Sequence, residues 1–313
     1  MHDHHEPVLI EEMVRYAAPQ DGDFVVDATF GRGGYSARLL QSAQCTVMAM
    51  DCDPAAAVCG QAFQERWGER FTFVGDRFSA LAAHLDHPID IIVFDLGLSS
   101  PQLADARRGF SFAADGPLDM RMSAAGPQAA DVVNDMSHEE IADILHHYGQ
   151  ERWARRIARA IVRARQEQPI TRTSQLAGLI TKVIPHKHGR IHPATRVFMA
   201  LRIYVNQELD ELRDGLILAE KFLRPGGRLV VVCFHSLEDR IVKTFLCARS
   251  KQPAVSRFEP VPQPIPPRWE ALTRRAVRPN DEEIAHNPRA RSARLRAARR
   301  TAQEVLPTRE IRL

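Results

Sequence analysis

Ile89–Gln102 reads IDIIVFDLGLSSPQ, and the fold turns on this stretch. Ile89, Ile91, Ile92, Val93 and Phe94 form a short β-branched apolar run, the pattern of a strand buried on both faces of a parallel sheet. The run stops at Asp95, and Gly97, Ser99, Ser100 and Pro101 deny the chain a regular continuation. A carboxylate followed by a small-residue loop at the carboxyl end of such a strand is where open α/β sheets place their chemistry.

Upstream, the same design recurs. Phe24-Val25-Val26 ends at Asp27 and enters a loop crowded with Gly31, Gly33 and Gly34, ahead of a helix at Tyr35–Leu40. Strand, acid, glycine loop and helix together cradle a nucleotide-like cofactor, because glycine lets a ligand approach the backbone. Thr46–Met50 ends in Asp51, roughly 20 residues past the glycine loop, where an acid takes ribose hydroxyls. Asp53-Pro54 opens the next helix, and Phe71–Val74 is a third strand leading into Gly75-Asp76-Arg77-Phe78. Asp27, Asp51 and Asp95 thus fall on one rim of a doubly wound sheet. No P-loop lysine follows the glycines, and GRGG is not G-x-G-x-x-G, which leans away from ATP and NAD. S-adenosylmethionine, which has no pyrophosphate, is the better match.

The chain has 313 residues, 44% of them apolar, and a formal charge of only +3. That suffices for a large core and offers no global polyelectrolyte argument. Cys45, Cys52, Cys59, Cys233 and Cys247 form no C-x-x-C pair and suit reduced, packed thiols. MHDHHEPVL has neither a basic n-region nor an apolar h-region, and no apolar run approaches a membrane span. A soluble, cytoplasmic protein without a membrane partner is expected.

From Ala104 to Leu209 the strand–helix alternation gives way to a helix-rich insertion. Ser137 and Glu140 make a capping-box pattern opening a helix to Tyr148, with Gly149 as its stop. The next helix, Glu151–Arg165, sets an apolar stripe (Trp153, Ile157, Ile161) beside a basic one (Arg152, Arg156, Arg159, Arg163). That stripe is either a solvated face or a phosphate-tracking surface. His186, His188 and His192 lack the ordered spacing and the carboxylate or thiolate partner of a zinc site, so no metal is expected. Thr195–Leu212 reads as one helix, with Arg202 and Asn206 a turn apart on its polar side.

The sheet then resumes. A helix through Leu223 ends at Pro225-Gly226-Gly227, and Arg228–Phe234 is a fifth strand ending in His235-Ser236-Leu237-Glu238-Asp239-Arg240. Ser236 and Asp239 can cap the following helix, whereas His235 and Glu238 have no evident structural duty. Pro253–Pro267 reads as an extended loop. Asn287–Arg300 is a closing edge strand with a basic outer face or a basic helix; either presents arginine to a polyanion, unless it is merely a solubilising tail.

Over nearly its whole length the chain closely resembles the bacterial S-adenosylmethionine-dependent 16S ribosomal RNA (cytosine-N4)-methyltransferase H family, also called MraW. The resemblance rests on HEPVL (His5–Leu9), DATFGRGGYS (Asp27–Ser36), DCDP (Asp51–Pro54), DLGLSSPQL (Asp95–Leu103), RGFSF (Arg108–Phe112) and GPLDMRM (Gly116–Met122). It continues in HPATRVFMALRIYVNQEL (His192–Leu209), FHSLEDRIVK (Phe234–Lys243) and NPRARSARLR (Asn287–Arg296). It implies an α/β class I (Rossmann-like) S-adenosylmethionine-dependent methyltransferase core over 1–104 and 210–313, with an inserted helical domain over 105–209 for RNA recognition. Carried over by position, the family's cofactor contacts fall on Gly33, Gly34, Tyr35, Asp51, Phe78, Asp95 and Gln102. Tyr35 departs from the family's usual histidine; a backbone contact would survive that change, but not a role for the imidazole. Gln150 and Met199 are milder departures, where glutamate and glutamine are usual.

The reaction so implied is methyl transfer to N4 of the decoding-centre cytidine of 16S RNA that contacts P-site messenger RNA. The RNA lies within the small ribosomal subunit or a late assembly intermediate. Asp95 is either an acceptor for the amine or a cofactor contact, with Ser99, Ser100 and His235 as further catalytic candidates. Arg152, Arg156, Arg202, Asn206, Arg289 and Arg291 are candidates for holding RNA. Two rivals remain. A DNA amino-methyltransferase should carry two prolines and an aromatic after the fourth-strand acid, where this chain has Leu96-Gly97. A non-catalytic RNA-binding protein could have lost Asp51 and Asp95, which are present. An oxidoreductase is a distant third.

Overall fold

In the computed structural model, residues 7–123, 125–184, 192–250 and 266–303 are described. The chain divides into two units, Met1–Gly97 together with Leu209–Leu313, and Leu98–Glu208. The first border therefore falls at the glycine two residues past Asp95, upstream of the expected 104/105.

The first unit is built on a seven-stranded sheet: β1 Phe24–Asp27, β2 Thr46–Met50, β3 Phe71–Val74, β4 Ile89–Asp95, β5 Leu223–Cys233, β6 Trp269–Ala271 and β7 Arg294–Arg300. Their spatial order is β3-β2-β1-β4-β5-β7-β6. The first five are parallel, and β7 runs antiparallel to both β5 and β6. This order, a parallel core with one antiparallel strand inserted near its edge, is that of a Rossmann-like α/β sheet, as expected. The period-2 alternation of each strand supplies two buried faces. Val25, Val47, Ala49, Ile91, Val93, Val230 and Val232 face one apolar layer, shared with helices α1 Ile10–Ala17, α2 Gly34–Ser42 and α3 Pro54–Trp67. Val26, Met48, Met50, Ile92, Phe94, Leu229 and Val231 face the other. Burial on both sides explains why the central strands read as continuous apolar runs.

The Leu98–Glu208 unit is helical: α4 Ser100–Ala104, α5 Ala129–Asp135, α6 His138–His147, α7 Ala154–Glu167, α8 Thr173–Val183 and α9 Ala194–Asn206. Its own core gathers Val133, Ile141, Leu145, Ile157, Ile161, Leu176, Ile180, Val197 and Leu201. Ser137 and Glu140 cap α6 reciprocally, as expected. The predicted helix Thr195–Leu212 is instead two. Gln207 adopts a left-handed conformation (φ 55°), and α10 Glu208–Phe222 starts anew. Apolar spacing carried through the break, so periodicity alone missed it. The remaining helices are α11 Ser236–Ser250 and α12 Asp281–His286.

Three further expectations are corrected. β5 is longer than Arg228–Phe234, because Leu223 already pairs with Ile89 across a register shift. The Asn287–Arg300 segment supplies β7, an interior strand between β5 and β6 rather than a sheet edge. Arg294 and Arg296, expected on a basic outer face, bond Asp239 of α11 at 2.8 and 2.7 Å. Asp239 is thereby spent on the sheet rather than on capping α11 with Ser236. Burial would raise its pKa, but the two guanidiniums outweigh that and hold it below the usual range. His186, His188 and most of Pro253–Pro267 lie outside the described residues. Among the described residues no helix is long and apolar enough to cross a membrane.

The closing strands are tied down by a buried charge. Glu220 of α10 is fully buried, accepting from Arg249 Nε of α11 at 2.9 Å and from Trp269 Nε1 of β6 at 3.0 Å. Arg300 Nε of β7 donates to its backbone carbonyl at 3.3 Å. Removing one partner of such a pair leaves the other charge buried and uncompensated. Glu220→Gln is therefore expected to cost about 3–5 kcal/mol of stability, read as a lower urea midpoint with unchanged slope. A loss below about 1 kcal/mol, the range of a solvent-exposed pair, would contradict this account.

Candidate active site

The strand order reverses between β1 and β4, and at such a switch point neighbouring strand ends diverge and leave a crevice for ligands. Asp27 closes β1 and Asp95 closes β4, with Asp27 paired in register to Val93. The two acids therefore flank the crevice. Asp27 is fully buried; its Oδ2 accepts from Ser36 Oγ at 2.6 Å and its Oδ1 from Thr29 N at 3.3 Å. Burial raises its pKa to about 6, against the lowering effect of those hydrogen bonds. Asp95 is held through its backbone, whose N–H donates to Thr29 Oγ1 at 2.6 Å. Its carboxylate Oδ1 is buried and has no hydrogen-bond partner among the described residues. Burial, then Asp27, then Glu238 push its pKa well above the usual carboxylate range. Thr29 and Ser36 were missed as site residues, although both lie in the DATFGRGGYS stretch. Hydroxyls two and nine residues past the strand-end acid were the available signal.

The glycine loop is shaped by packing as well as by ligand access. Gly33 sits at φ 78°, and a Cβ there would come within 2.4 Å of the Phe63 ring. It precedes α2 without a side-chain cap among the described residues, so the first-turn amides of α2 are placed to receive an anion. Gly34 lies against Pro7, where a Cβ would meet the ring at 2.1 Å. Tyr35 is buried, and its hydroxyl donates to Val8 O at 2.6 Å. Its ring belongs to the core.

Asp51 stands just past β2, half-buried. Its Oδ2 accepts from Gly31 N at 2.7 Å and its Oδ1 from Asp53 N at 2.8 Å. A carboxylate oxygen has two acceptor positions, so Asp51 can shape the loop and receive a hydroxyl together. Asp53 caps α3, accepting from Ala55 N at 2.9 Å. Phe78 opens a short 3-10 turn past β3, and its ring packs edge-on against Phe94 at 5.3 Å. These groups fit S-adenosylmethionine: an acid for the ribose, uncapped amides for the carboxylate, and an orphaned buried oxygen where a cation would be welcome.

His235 precedes α11. Its Nε2 lies 3.0 Å from Glu238 Oε1 but is misaligned for a hydrogen bond. Glu238 is the acid that caps α11, its Oε2 accepting from Phe234 N at 2.7 Å and His235 N at 3.1 Å. The structural duty that the sequence did not reveal for Glu238 is therefore a cap, in the place expected for Asp239.

In the Leu98–Glu208 unit, Ser99 precedes α4 and its N–H donates to Gln102 Oε1 at 2.8 Å, while Ser100 is the first helical residue. Asn206 is buried; it accepts from Met122 N at 2.7 Å and donates to Met120 O at 2.8 Å. Arg202 forms a bidentate pair with Glu208, both bonds 2.8 Å. Both side chains, expected to hold RNA, thus have work inside the unit. Arg152 precedes α7 rather than lying within it, and with Arg156 it flanks Trp153, 5.3 and 5.7 Å from the ring centroid. Arg152, Arg155, Arg156, Arg159 and Arg163 are all exposed. Arg289 and Arg291, in the first unit, are exposed on the turn Pro288–Ser292.

A family profile described as the MraW methylase family matches residues 2–301. The chain is 51% identical over 311 residues to the ribosomal RNA small subunit methyltransferase H of Azorhizobium caulinodans, spanning 97% of this chain and 89% of that one. The protein of the same description from Rhodospirillum centenum is 54% identical over 304 residues, spanning 95% and 92%. Among solved structures, an rRNA methylase from Streptococcus thermophilus aligns over 93% of each chain at a TM-score of 0.43 and 11% identity; at that distance the likeness carries no argument.

The raised pKa of Asp27 has a definite sign for stability. Below about pH 4 the group is protonated in folded and unfolded chains alike and costs nothing. Between there and about 6 the unfolded chain gives up its proton first, so stability falls with rising pH and then levels off. The penalty is about 3 kcal/mol. Asp27→Asn in the ligand-free protein is expected to recover part of it at pH 8 and none near pH 4, read by thermal unfolding. Equal destabilisation at both pH values would mean that ionised Asp27 is a net support of the fold.

Proposed function

The chain belongs to the MraW methylase family, and from that premise we propose that it methylates the N4 amine of a cytidine in small-subunit ribosomal RNA. It is a methyltransferase that uses S-adenosylmethionine. The observation that carries the finer reading is the rim of strand-end acids beside a helix start that, among the described residues, is uncapped, with one buried carboxylate oxygen left without a partner among them.

When bound, the cofactor supplies an electrophilic methyl group. The chain's own residues do the rest. Asp51 takes the ribose hydroxyls, the amides of Gly34 and Tyr35 take the carboxylate, and Phe78 offers an aromatic edge. An exocyclic amine is conjugated with its ring and is a poor nucleophile, so a positioned acceptor for its hydrogens matters. Asp95 is the group assigned to that task. No cysteine stands beside it in the fourth-strand loop, which favours direct transfer over the covalent route needed for ring carbons. His235, on the same unit, is a second candidate near the strand ends.

On the Leu98–Glu208 unit, Ser99, Ser100 and Gln102 are candidates at the start of α4. Arg152 and Arg156 are assigned to flanking phosphates, and in the first unit so are Arg289 and Arg291. Asn206 serves that assignment indirectly, by fixing Met120 and Met122, while Arg202 is paired with Glu208. The specific nucleotide, the P-site cytidine, rests on family resemblance. A late assembly intermediate or the small subunit itself is the proposed substrate, in the cytoplasm. A DNA amino-methyltransferase is disfavoured by Leu96-Gly97, and a non-catalytic role by the retained acids.

The direct test is labelled methyl transfer to naked small-subunit RNA, mature subunits and assembly intermediates in parallel. Transfer to DNA instead of any of these would overturn the proposal. Asp51→Asn keeps a loop acceptor but loses the charge, and should weaken S-adenosylmethionine binding by about 1.5–3 kcal/mol in calorimetry; an unchanged affinity removes Asp51 from the cofactor site. Neutralising Arg152, Arg156, Arg289 and Arg291 together should weaken RNA binding and flatten the slope of log affinity against log salt, with cofactor affinity untouched. An unchanged slope would return these arginines to an ordinary solvated surface.

A further inference from the structure

The carboxylates at the switch point form an anionic nest. Asp95 is faced by Asp27 at the end of β1 and by Glu238 at the start of α11, both acids. Asp51, past β2, faces Asp27 from the far side. Tyr35 of α2 is a buried neutral hydroxyl bonded to Val8 O. Three basic groups stand at the start of α11 and on β7. His235 Nε2 lies against Glu238, and Arg294 and Arg296 are bonded to Asp239. Both oxygens of Asp27 receive hydrogen bonds, from Ser36 and Thr29, an arrangement that favours its ionised form. Asp95 Oδ1 is buried and receives none from the described residues, so a proton placed there relieves the nest at least cost.

We propose that Asp95 carries this proton in the ligand-free protein, releases it to solvent when the sulfonium of S-adenosylmethionine enters, and thereby selects the charged methyl donor over its neutral thioether product. The inference rests on the cofactor reading above. S-adenosylmethionine and S-adenosylhomocysteine share the same nucleoside and amino-acid groups and differ in the sulfonium, so only the first brings the charge that ionised Asp95 requires. The exchange also closes the reaction's proton balance. The amine lone pair forms the N–C bond, the C–S electron pair stays on sulfur, and the amine sheds one proton. With the sulfonium gone, Asp95 is again the best holder of a proton in the nest and takes the one released. One carboxylate is thus anionic while the donor is charged and protonated once it is spent.

Calorimetric titration of the whole protein in buffers of different ionisation enthalpy counts the protons released. Near pH 7.5, S-adenosylmethionine should release close to one proton more than S-adenosylhomocysteine. Its dissociation constant, relative to that of the homocysteine, should fall about tenfold per pH unit over the range where Asp95 is protonated. Asp95→Asn should remove the difference while leaving both ligands bound. Equal proton release by the two ligands in the wild-type protein, or an undiminished difference in Asp95→Asn, overturns the proposal. Should the variant lose binding, the wild-type comparison alone decides. Absence of binding by either ligand would overturn the cofactor reading itself.

Discussion

Keeping carboxylates at the mouth of an apolar sheet is the constraint on which this structure depends. A parallel sheet covered on both faces has nowhere polar to end except at its strand tips, and there Asp27, Asp51 and Asp95 emerge. A buried carboxylate without a counter-charge is expensive. This protein meets part of that cost with hydroxyls and amides, Ser36 and Thr29 on Asp27 and two backbone N–H groups on Asp51. It leaves Asp95 Oδ1 unmet. A fold under selection for stability alone would place a small apolar residue there. The energy withheld at Asp95 becomes available to a cationic ligand, which is how binding is made selective for charge as well as shape.

The same logic separates the arginines. They fall into two groups. Arg294 and Arg296 neutralise Asp239, Arg249 neutralises Glu220, and Arg202 neutralises Glu208. Each cation is held inside the protein by an acid. The arginines near Trp153 and those of the Pro288–Ser292 turn instead point outward, where a polyanion can reach them. It is the second group to which the proposed contact with RNA phosphates is assigned.

Much of this was legible in the sequence because the central strands are short, apolar and each punctuated by an acid or glycine. Strands β1 to β4, the three rim carboxylates and the capping box of α6 follow from local pattern alone. What escaped depends on contacts distant in sequence. The break at Gln207 is a single left-handed residue inside an unbroken apolar period. The interior position of β7 reflects pairing with β5, and no local signal in an arginine-rich segment announces that its charges meet Asp239. Glu238 and Asp239 are adjacent acids on one helix start, and only the geometry shows that the first caps and the second pairs. Asn206 looked like a polar contact on a helix face; it is instead the clamp on Met120 and Met122.

The central claim is that these strand-end acids serve methyl transfer to an exocyclic cytosine amine. It is tested most directly by the chemical identity of the product nucleoside. Small-subunit RNA incubated with the protein and methyl-labelled S-adenosylmethionine should yield, after digestion and mass spectrometry, label in N4-methylcytidine at a single site. Label on carbon 5 of the base or on the ribose would contradict the account.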